Sequence, residues 1–293
     1  MTHIPTLAIY GAGKVGKTLA RLWADKQLAS LADVVCQSLH SAQNAVAFIG
    51  AGCARSASAT LQKADIWLIT CPDAMIAQAA KKIAADDALT PQGILLHCSG
   101  NSSSDLIRAY GTAASVHPVH SFAEPELSLN QFSGSYCAAE GDDTALAVAK
   151  HLFTALGAQW LAINAAEKPC YHAATVSASN HLVTLLDQAI RLAQTAGLSE
   201  TQSRALLKPL AQQALNNLFS DGATASLTGP ISRGDTDTVA SHLTALEHIS
   251  DGSEDRDLYH ALARSTLKIA ETQAQPMTRL SELKTLLNTK TKR

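Results

Sequence analysis

The stretch Gly11-Ala12-Gly13-Lys14-Val15-Gly16 follows at once on a short apolar run, Thr6–Tyr10, and opens a segment of helical periodicity, Lys14–Lys26. Glycines spaced G-x-G-x-x-G between a strand and a helix constrain the backbone more than any other feature of the chain. Gly11 permits a tight turn, Gly13 lets backbone come close to a pyrophosphate, and Gly16 lets the helix pack on a sheet. The N–H groups of the first helical turn then face negative charge. The plainer alternative is a tight strand-to-helix turn with no nucleotide. The context predicts an α/β domain whose dinucleotide contacts Gly11, Ala12, Gly13, Lys14, Val15 and Gly16.

Strand and helix signals go on alternating through the first half. Asp33–Ser38, Asp65–Thr70 and Gly93–Ser99 read as strands, Ser115–Val119 and Ser135–Glu140 as weaker ones, and Trp160–Ile163 as a last short strand. Asp73–Ala85 and Asp142–Leu156 read as helices, the second ended by Gly157 as a left-handed cap. Continuous apolar strands between helices predict a Rossmann-type, doubly wound parallel sheet covered on both faces. After Asn164 the β-rich runs stop. Ala166–Ala196 reads as one long helix, with Pro169 tolerated in its first turn. Ser199-Glu200-Thr201-Gln202 has the capping-box pattern for a helix to about Phe219. Asp221–Asp235 reads as a loop, further helices cover Thr236–Ile249, Asp255–Ala274 and Met277–Leu287, and residues 290–293 read as a frayed end. The expected organisation is a dinucleotide-binding α/β domain over residues 1–164 and an all-helical domain over 165–293.

A length of 293 residues suits two cores. Lys+Arg 23 against Asp+Glu 25 leaves a net charge of -2, so no basic field is offered to nucleic acid or an anionic membrane. The apolar runs fall short of the ~18 residues of a membrane span. The N-terminus MTHIPTLAIYG lacks the pattern of a secretory signal. Cys36, Cys53, Cys71, Cys98, Cys137 and Cys170 are scattered without paired spacing, as in a reduced cytoplasmic protein. Charged residues are 16% of the chain, well under the ~25% of an ordinary globular protein. Either the surface is bland or much of it is hidden. The small, neutral circumference of Ala166–Ala196 favours the second, a homodimer burying the helical domain.

Candidate site residues lie at the strand ends. Where an acid would grip an adenosine ribose, the chain reads Cys36-Gln37-Ser38-Leu39-His40-Ser41, without Asp or Glu. That favours NADP over NAD, its phosphate held by Ser38, His40 or Ser41. Cys71, Pro72 and Asp73 would pack on the nicotinamide ribose and pyrophosphate; equally, Pro72 ends a strand and Asp73 caps a helix. His97 and Ser99 close a strand at its carboxyl edge, and Ser99-Gly100 with the following Asn101-Ser102-Ser103-Ser104 offers hydroxyls and N–H groups to a substrate carboxylate or the nicotinamide amide, unless Asn101 or Ser102 is merely a helix cap. His117-Pro118-Val119-His120 offers two imidazoles without a carboxylate or thiolate, a poor zinc site, so no metal is expected and His117 reads as a substrate-facing donor. In Thr228–Asp235, Thr228 and Arg233 could hold a substrate carboxylate, unless Arg233 and Asp235 only pair with each other.

The fingerprint, HCSG (His97–Gly100), SVHPVHSF (Ser115–Phe122), KPCYHAATVSASN (Lys168–Asn180) and TGPISRGD (Thr228–Asp235) occur in that order. Together they make the chain resemble the bacterial family with a Rossmann-like N-terminal domain and a DUF2520 C-terminal domain. That family lies in the 6-phosphogluconate dehydrogenase-like superfamily, with β-hydroxyacid dehydrogenases, ketopantoate reductase and pyrroline-5-carboxylate reductase. The resemblance implies an NADP-linked oxidoreductase fold, usually dimeric through the helical domain, and supplies no substrate. One departure stands out: hydroxyacid dehydrogenases of the superfamily carry a Lys and, four residues on, an Asn, whereas here Lys168 is followed at that distance by His172. At ~100° per residue the two are ~40° apart on one helix face. Asn180 would lie ~120° round and ~18 Å along, touching another part of the site or the other subunit.

Hydride transfer to a carbonyl or imine needs a proton source and donors that polarise the acceptor atom. Lys168 and His172 are the candidates, with His117 and Ser99 opposite. The expectation is an NADP-dependent reductase or dehydrogenase for a small carbonyl, imine or hydroxy acid. A non-catalytic NADP-binding sensor is the alternative, and a Rossmann protein using a deazaflavin lies between.

Overall fold

Alternating apolar side chains put two faces on every central strand, and in a computed structural model, which describes residues 4–247, 249, 253–273 and 277–288, these strands form one sheet. The strands are β1 (Thr6–Tyr10), β2 (Ser30–Cys36), β3 (Cys53–Ser56), β4 (Ala64–Ile69), β5 (Leu89–His97), β6 (Thr112–Val119), β7 (Tyr136–Gly141) and β8 (Gln159–Ala162). Their order is β3-β2-β1-β4-β5-β6-β7-β8. Helices α1 (Lys14–Asp25), α2 (Leu39–Ile49), α3 (Ile76–Ala85), α4 (Asp105–Arg108), α5 (Pro125–Gln131) and α6 (Asp143–Ala155) connect them.

Leu7, Ile9, Ile66, Leu68, Ile94 and Leu96 pack on one face with Leu19 and Trp23 of α1 and Leu152 and Phe153 of α6. Ala8, Trp67, Ile69 and Leu95 pack on the other with Ile76, Ala79 and Ile83 of α3. The buried indoles are satisfied: Trp23 Nε1 donates to Leu152 O at 3.1 Å and Trp67 Nε1 to Ala88 O at 2.8 Å.

The sheet is not wholly parallel. β7 runs antiparallel to β6, with Val119 opposite Tyr136, while β8 is parallel to β7. The segment between β6 and β7 packs α5 against α1 and is tied there by Lys14 Nζ, which donates to Ala123 O at 2.6 Å. It stays at the carboxyl edge, so the next strand starts where the last one ended.

The chain forms two compact units, Met1–Ala178 and Ser179–Arg293. The change of texture at residue 164 marks the end of the sheet and not the end of the unit, because helix α7 (Lys168–Val176) is bonded to the strand edge through Lys168. Pro169 sits in its first turn, as expected. Ala166–Ala196 is not one helix: a π-helical turn, Ser177–His181, separates α7 from α8 (Leu182–Thr195). A wider turn changes the angular phase, so the ~120° placement of Asn180 does not carry across it.

In the second unit the capping box at Ser199 and Gln202 opens α9 (Glu200–Ser226), which runs past Phe219 and kinks at Gly222 (φ 80, ψ 167). The expected loop Asp221–Asp235 contains the end of α9 and a short helix, α10 (Pro230–Arg233). α11 (Thr236–Glu247), α12 (Ser253–Ala270) and α13 (Met277–Asn288) close a small core with α10 around Val239, Leu267, Leu283 and Leu287. Residues 290–293, expected to fray, lie outside the described residues. Among the described residues no helix is long and apolar enough to cross a membrane.

Candidate functional site

Strand register brings the chemistry to one row. Val35 and Ile69 flank Tyr10, Ile69 pairs with His97, His97 with Ser115, and Ser115 with Glu140. Just past that row the chain leaves the sheet at Gly11, Thr70 and Cys98. This is the carboxyl edge, and the strand order reverses between β1 and β4, the place where open α/β sheets take their ligands.

The glycine loop is pinned at both ends. Gly11 has φ +93, and a Cβ there would lie 2.5 Å from Cys71 N. A Cβ on Gly16 would lie 2.2 Å from Thr70 Oγ1, which donates to Gly11 O at 2.6 Å. Gly13 differs: an added Cβ meets nothing within 4 Å. No side chain caps α1 at Gly13, and its first turn has no acid. Ala12 is buried and Val15 packs against the core, while the side chain of Lys14 is engaged with Ala123, so these residues present backbone to the loop. Open backbone, no acid and uncapped N–H groups fit a pyrophosphate.

At the end of β2, Ser38 caps α2 by accepting from Ser41 N at 3.1 Å, and its hydroxyl also donates to Ser41 Oγ at 3.0 Å. His40 bonds to Asn44 at 3.3 Å. Ser38, His40 and Ser41 are exposed, and the first turn of α2 carries no acid. Cys71 lies against Gly11, and burial pushes its thiol up to about 11. Pro72 precedes a 3-10 turn, Asp73–Met75, but the Asp73 carboxylate makes no cap there. It accepts from Ser99 Oγ at 2.6 Å instead.

Ser99 is spent on shaping its own loop. Besides donating to Asp73, its Oγ accepts from Asn101 N at 3.2 Å and Ser102 N at 2.9 Å. Beneath it His97 is fully buried, with Nδ1 accepting from Ser99 N at 3.2 Å and Nε2 at 3.1 Å from Ser103 O. An accepting Nδ1 leaves the proton on Nε2, where a carbonyl receives it. Burial holds this imidazole neutral, its pKa down at about 4.

Lys168 differs from expectation. Its ammonium has 0% exposure and donates to Ser99 O at 3.0 Å and Ser115 Oγ at 2.9 Å. Burial lowers its pKa, with Glu140, Cys98 and Asp73 opposing. In this structure it is a buried cation that clamps the Ser99 loop to β6, not a group open to a substrate.

The open part of the site lies one step further out. β5 pairs with β6 only as far as Ser115, and β6 runs on to Val119, which lets Pro118, without an N–H, sit in the strand. His117 belongs to this overrun. Its Nδ1 is 2.8 Å from the Tyr171 hydroxyl, and its ring meets His172 edge-on at 5.7 Å. A Cβ on Gly100 would lie 2.4 Å from His172 Cδ2 and 3.1 Å from His117 Nε2, so only glycine lets both rings close over this loop. Lys168 and His172 share α7 as the spacing predicted, but one points to the buried clamp and the other to the imidazole pair.

Sequence reasoning passed over Tyr171 and Ser115, although both sit inside the quoted motifs. Asn180 lies exposed in the π-helical turn, and Thr228 and Arg233 are exposed in the second unit. Asp235 receives Thr238 N and Oγ1 at the start of α11, with Arg233 contributing to the lowering of its pKa. No group of three or more His, Cys, Asp or Glu among the described residues could hold a metal ion.

Residues 135–266 match a family described as a domain of unknown function, DUF2520. Among curated proteins none matches the sequence. The fold is shared with protein TM1727 from Thermotoga maritima (25% identity, TM-score 0.66, covering 89% of this chain and 98% of that one). It is also shared with a protein provisionally named NADP oxidoreductase BF3122, from Bacteroides fragilis (17%, TM-score 0.74, 90% and 98%). An imine reductase from Myxococcus stipitatus in complex with NADP+ is similar as well (14%, TM-score 0.61, 91% and 93%).

Proposed function

We propose that this chain, which carries the DUF2520 domain on a Rossmann-type fold, is an NADP-dependent oxidoreductase acting on a small carbonyl, imine or hydroxy acid. The observation that carries the reading is the pairing of an uncapped, acid-free glycine loop with the His117–His172 pair over Gly100, on one sheet edge. Fold neighbours whose names include NADP support it. Gly11, Ala12, Gly13, Lys14, Val15 and Gly16 would hold the pyrophosphate through backbone, with Cys71, Pro72 and Asp73 beside it. Ser38, His40 and Ser41, where no acid repels it, would hold a 2′-phosphate. Bound NADPH would supply a hydride to the carbonyl or imine carbon.

The acceptor oxygen or nitrogen then needs one proton. His172 is only partly buried, so its imidazole can deliver a proton and recover it from water. His117 faces the same space, while Lys168 acts through Ser99 and Ser115 by fixing the loop that carries Gly100. Asn180, Thr228 and Arg233 remain proposed substrate contacts.

The assembly is a homodimer through the helical unit. Within α8 and α9 the fully buried residues are Gln188 and Ser203, while Val183, Leu206, Leu210 and Phe219 are exposed by 68%, 58%, 67% and 84%. The six unpaired cysteines suit a cytoplasmic protein.

The test is NADPH titration followed by turnover, of ketones and imines with NADPH and of hydroxy acids with NADP+. His172→Ala should retain NADPH binding and lose turnover by roughly 100-fold. A wild type that binds NADPH and turns over nothing would instead support an NADP sensor, and tighter NADH than NADPH binding would overturn the cofactor assignment.

A further inference from the structure

Nε2 of His117 makes no hydrogen bond among the described residues, yet it lies over Gly100 beside His172. A neutral imidazole carries one proton, and the nitrogen that holds it decides whether this edge donates or accepts. At Nδ1 the partner is the Tyr171 hydroxyl, 2.8 Å away. A phenol oxygen is a weak acceptor and an imidazole lone pair a strong one, so O–H···N is the better pairing. Burial keeps the phenol protonated, pushed up to about 12. Burial, with His172 and Lys168 adding repulsion and Asp73 opposing, holds His117 neutral with its pKa down at about 4. In that pairing Tyr171 would donate to Nδ1, leaving the ring proton on Nε2.

We propose that Tyr171 is a positioning residue that holds His117 as its Nε2–H tautomer and so makes that nitrogen the hydrogen-bond donor to the substrate's acceptor atom. For the substrate this rests on the oxidoreductase reading; for the tautomer it does not. His117 keeps its N–H throughout, and the proton that completes the product is the one assigned to His172. The arrangement also defines a substrate class. A donor needs a lone pair to point at, so the substrate presents a carbonyl oxygen or a neutral imine nitrogen. An N-alkylated iminium cation has no lone pair there and meets N–H with positive charge.

The experiment is long-range ¹H–¹⁵N NMR of His117 in the ligand-free full chain, wild type and Tyr171→Phe. The wild type should show the Nε2–H tautomer, and Tyr171→Phe a mixture of both. NADPH affinity should not change, and kcat should fall roughly tenfold, the population equivalent of one lost hydrogen bond. His117→Gln, whose amide N–H reaches the place of Nε2, should keep more turnover than His117→Asn. In the wild type a ketone should be reduced and a quaternary iminium salt should not. An Nδ1–H tautomer in the wild type, or an unchanged tautomer and kcat in Tyr171→Phe, overturns the proposal. Iminium turnover matching that of ketones does so too. A locked tautomer in a protein that reduces no ketone or imine overturns the oxidoreductase reading and with it the substrate half of the proposal.

Discussion

Lys168 and the two deepest imidazoles sit within a few bonds of each other, and burial sets what each does. An ammonium without solvent must find acceptors, and Ser99 O and Ser115 Oγ supply them, with the carboxylates of Glu140 and Asp73 offsetting part of the desolvation. For His97 and His117, burial lowers the folded pKa from 6.5 to about 4. The unfolded chain therefore binds more protons between those values. The stability this contributes is complete above pH 6.5, declines as pH falls through the window and is gone below about 4. For fully buried His97 it amounts to roughly 3 kcal/mol. We expect the urea midpoint to drop steeply between pH 6.5 and pH 4, and less steeply in His97→Gln, whose amide does not titrate.

At the scale of elements, the strand–loop–helix unit at the N-terminus separates two kinds of glycine. Gly11→Ala would force a side chain at φ +93 to 2.5 Å from Cys71 N, and should cost about 1–3 kcal/mol or more in a melting experiment. Gly13 has φ -72 and ψ -162, which any residue can adopt, and no neighbour within 4 Å. Gly13→Ala should melt no lower than the wild type yet bind NADPH at least tenfold more weakly, as fluorescence titration would show. Equal loss of stability in both variants would mean that the loop is only a turn. The fingerprint was legible because strand, glycine spacing and helix are contiguous. β3, reading CARS, and α5 were not, because their apolar content is too small to show a period and their pairing partners are distant in sequence.

For the whole molecule, the exposed apolar side chains of α8 and α9 are the feature that asks for a cover. Leu206, Leu210, Ala214 and Leu218 recur every four residues on α9 and are exposed, a stripe that turns only ~40° per step. A second copy of the chain is the proposed cover. Leu206→Glu with Leu210→Glu should convert the dimer expected from light scattering into a monomer, with the far-ultraviolet spectrum retained. A wild type already monomeric at micromolar concentration would refute the assembly.

What the sequence determined by itself is what local spacing controls. The glycine loop, the alternation of strands and helices, the capping box at Ser199 and the shared α7 face of Lys168 and His172 all depend on residues close together in the chain. Only the tertiary structure decided the rest. β7 turns antiparallel because the segment before it is anchored on α1, at the edge where β6 ends. Lys168 became a clamp rather than an open group because Ser99 and Ser115 meet its ammonium from two different strand ends. His117 and Tyr171, 54 positions apart, became partners because β6 outruns β5 beside α7. Burial and hydrogen-bond partnership are properties of a neighbourhood, and a neighbourhood assembled from distant segments leaves no period in the sequence.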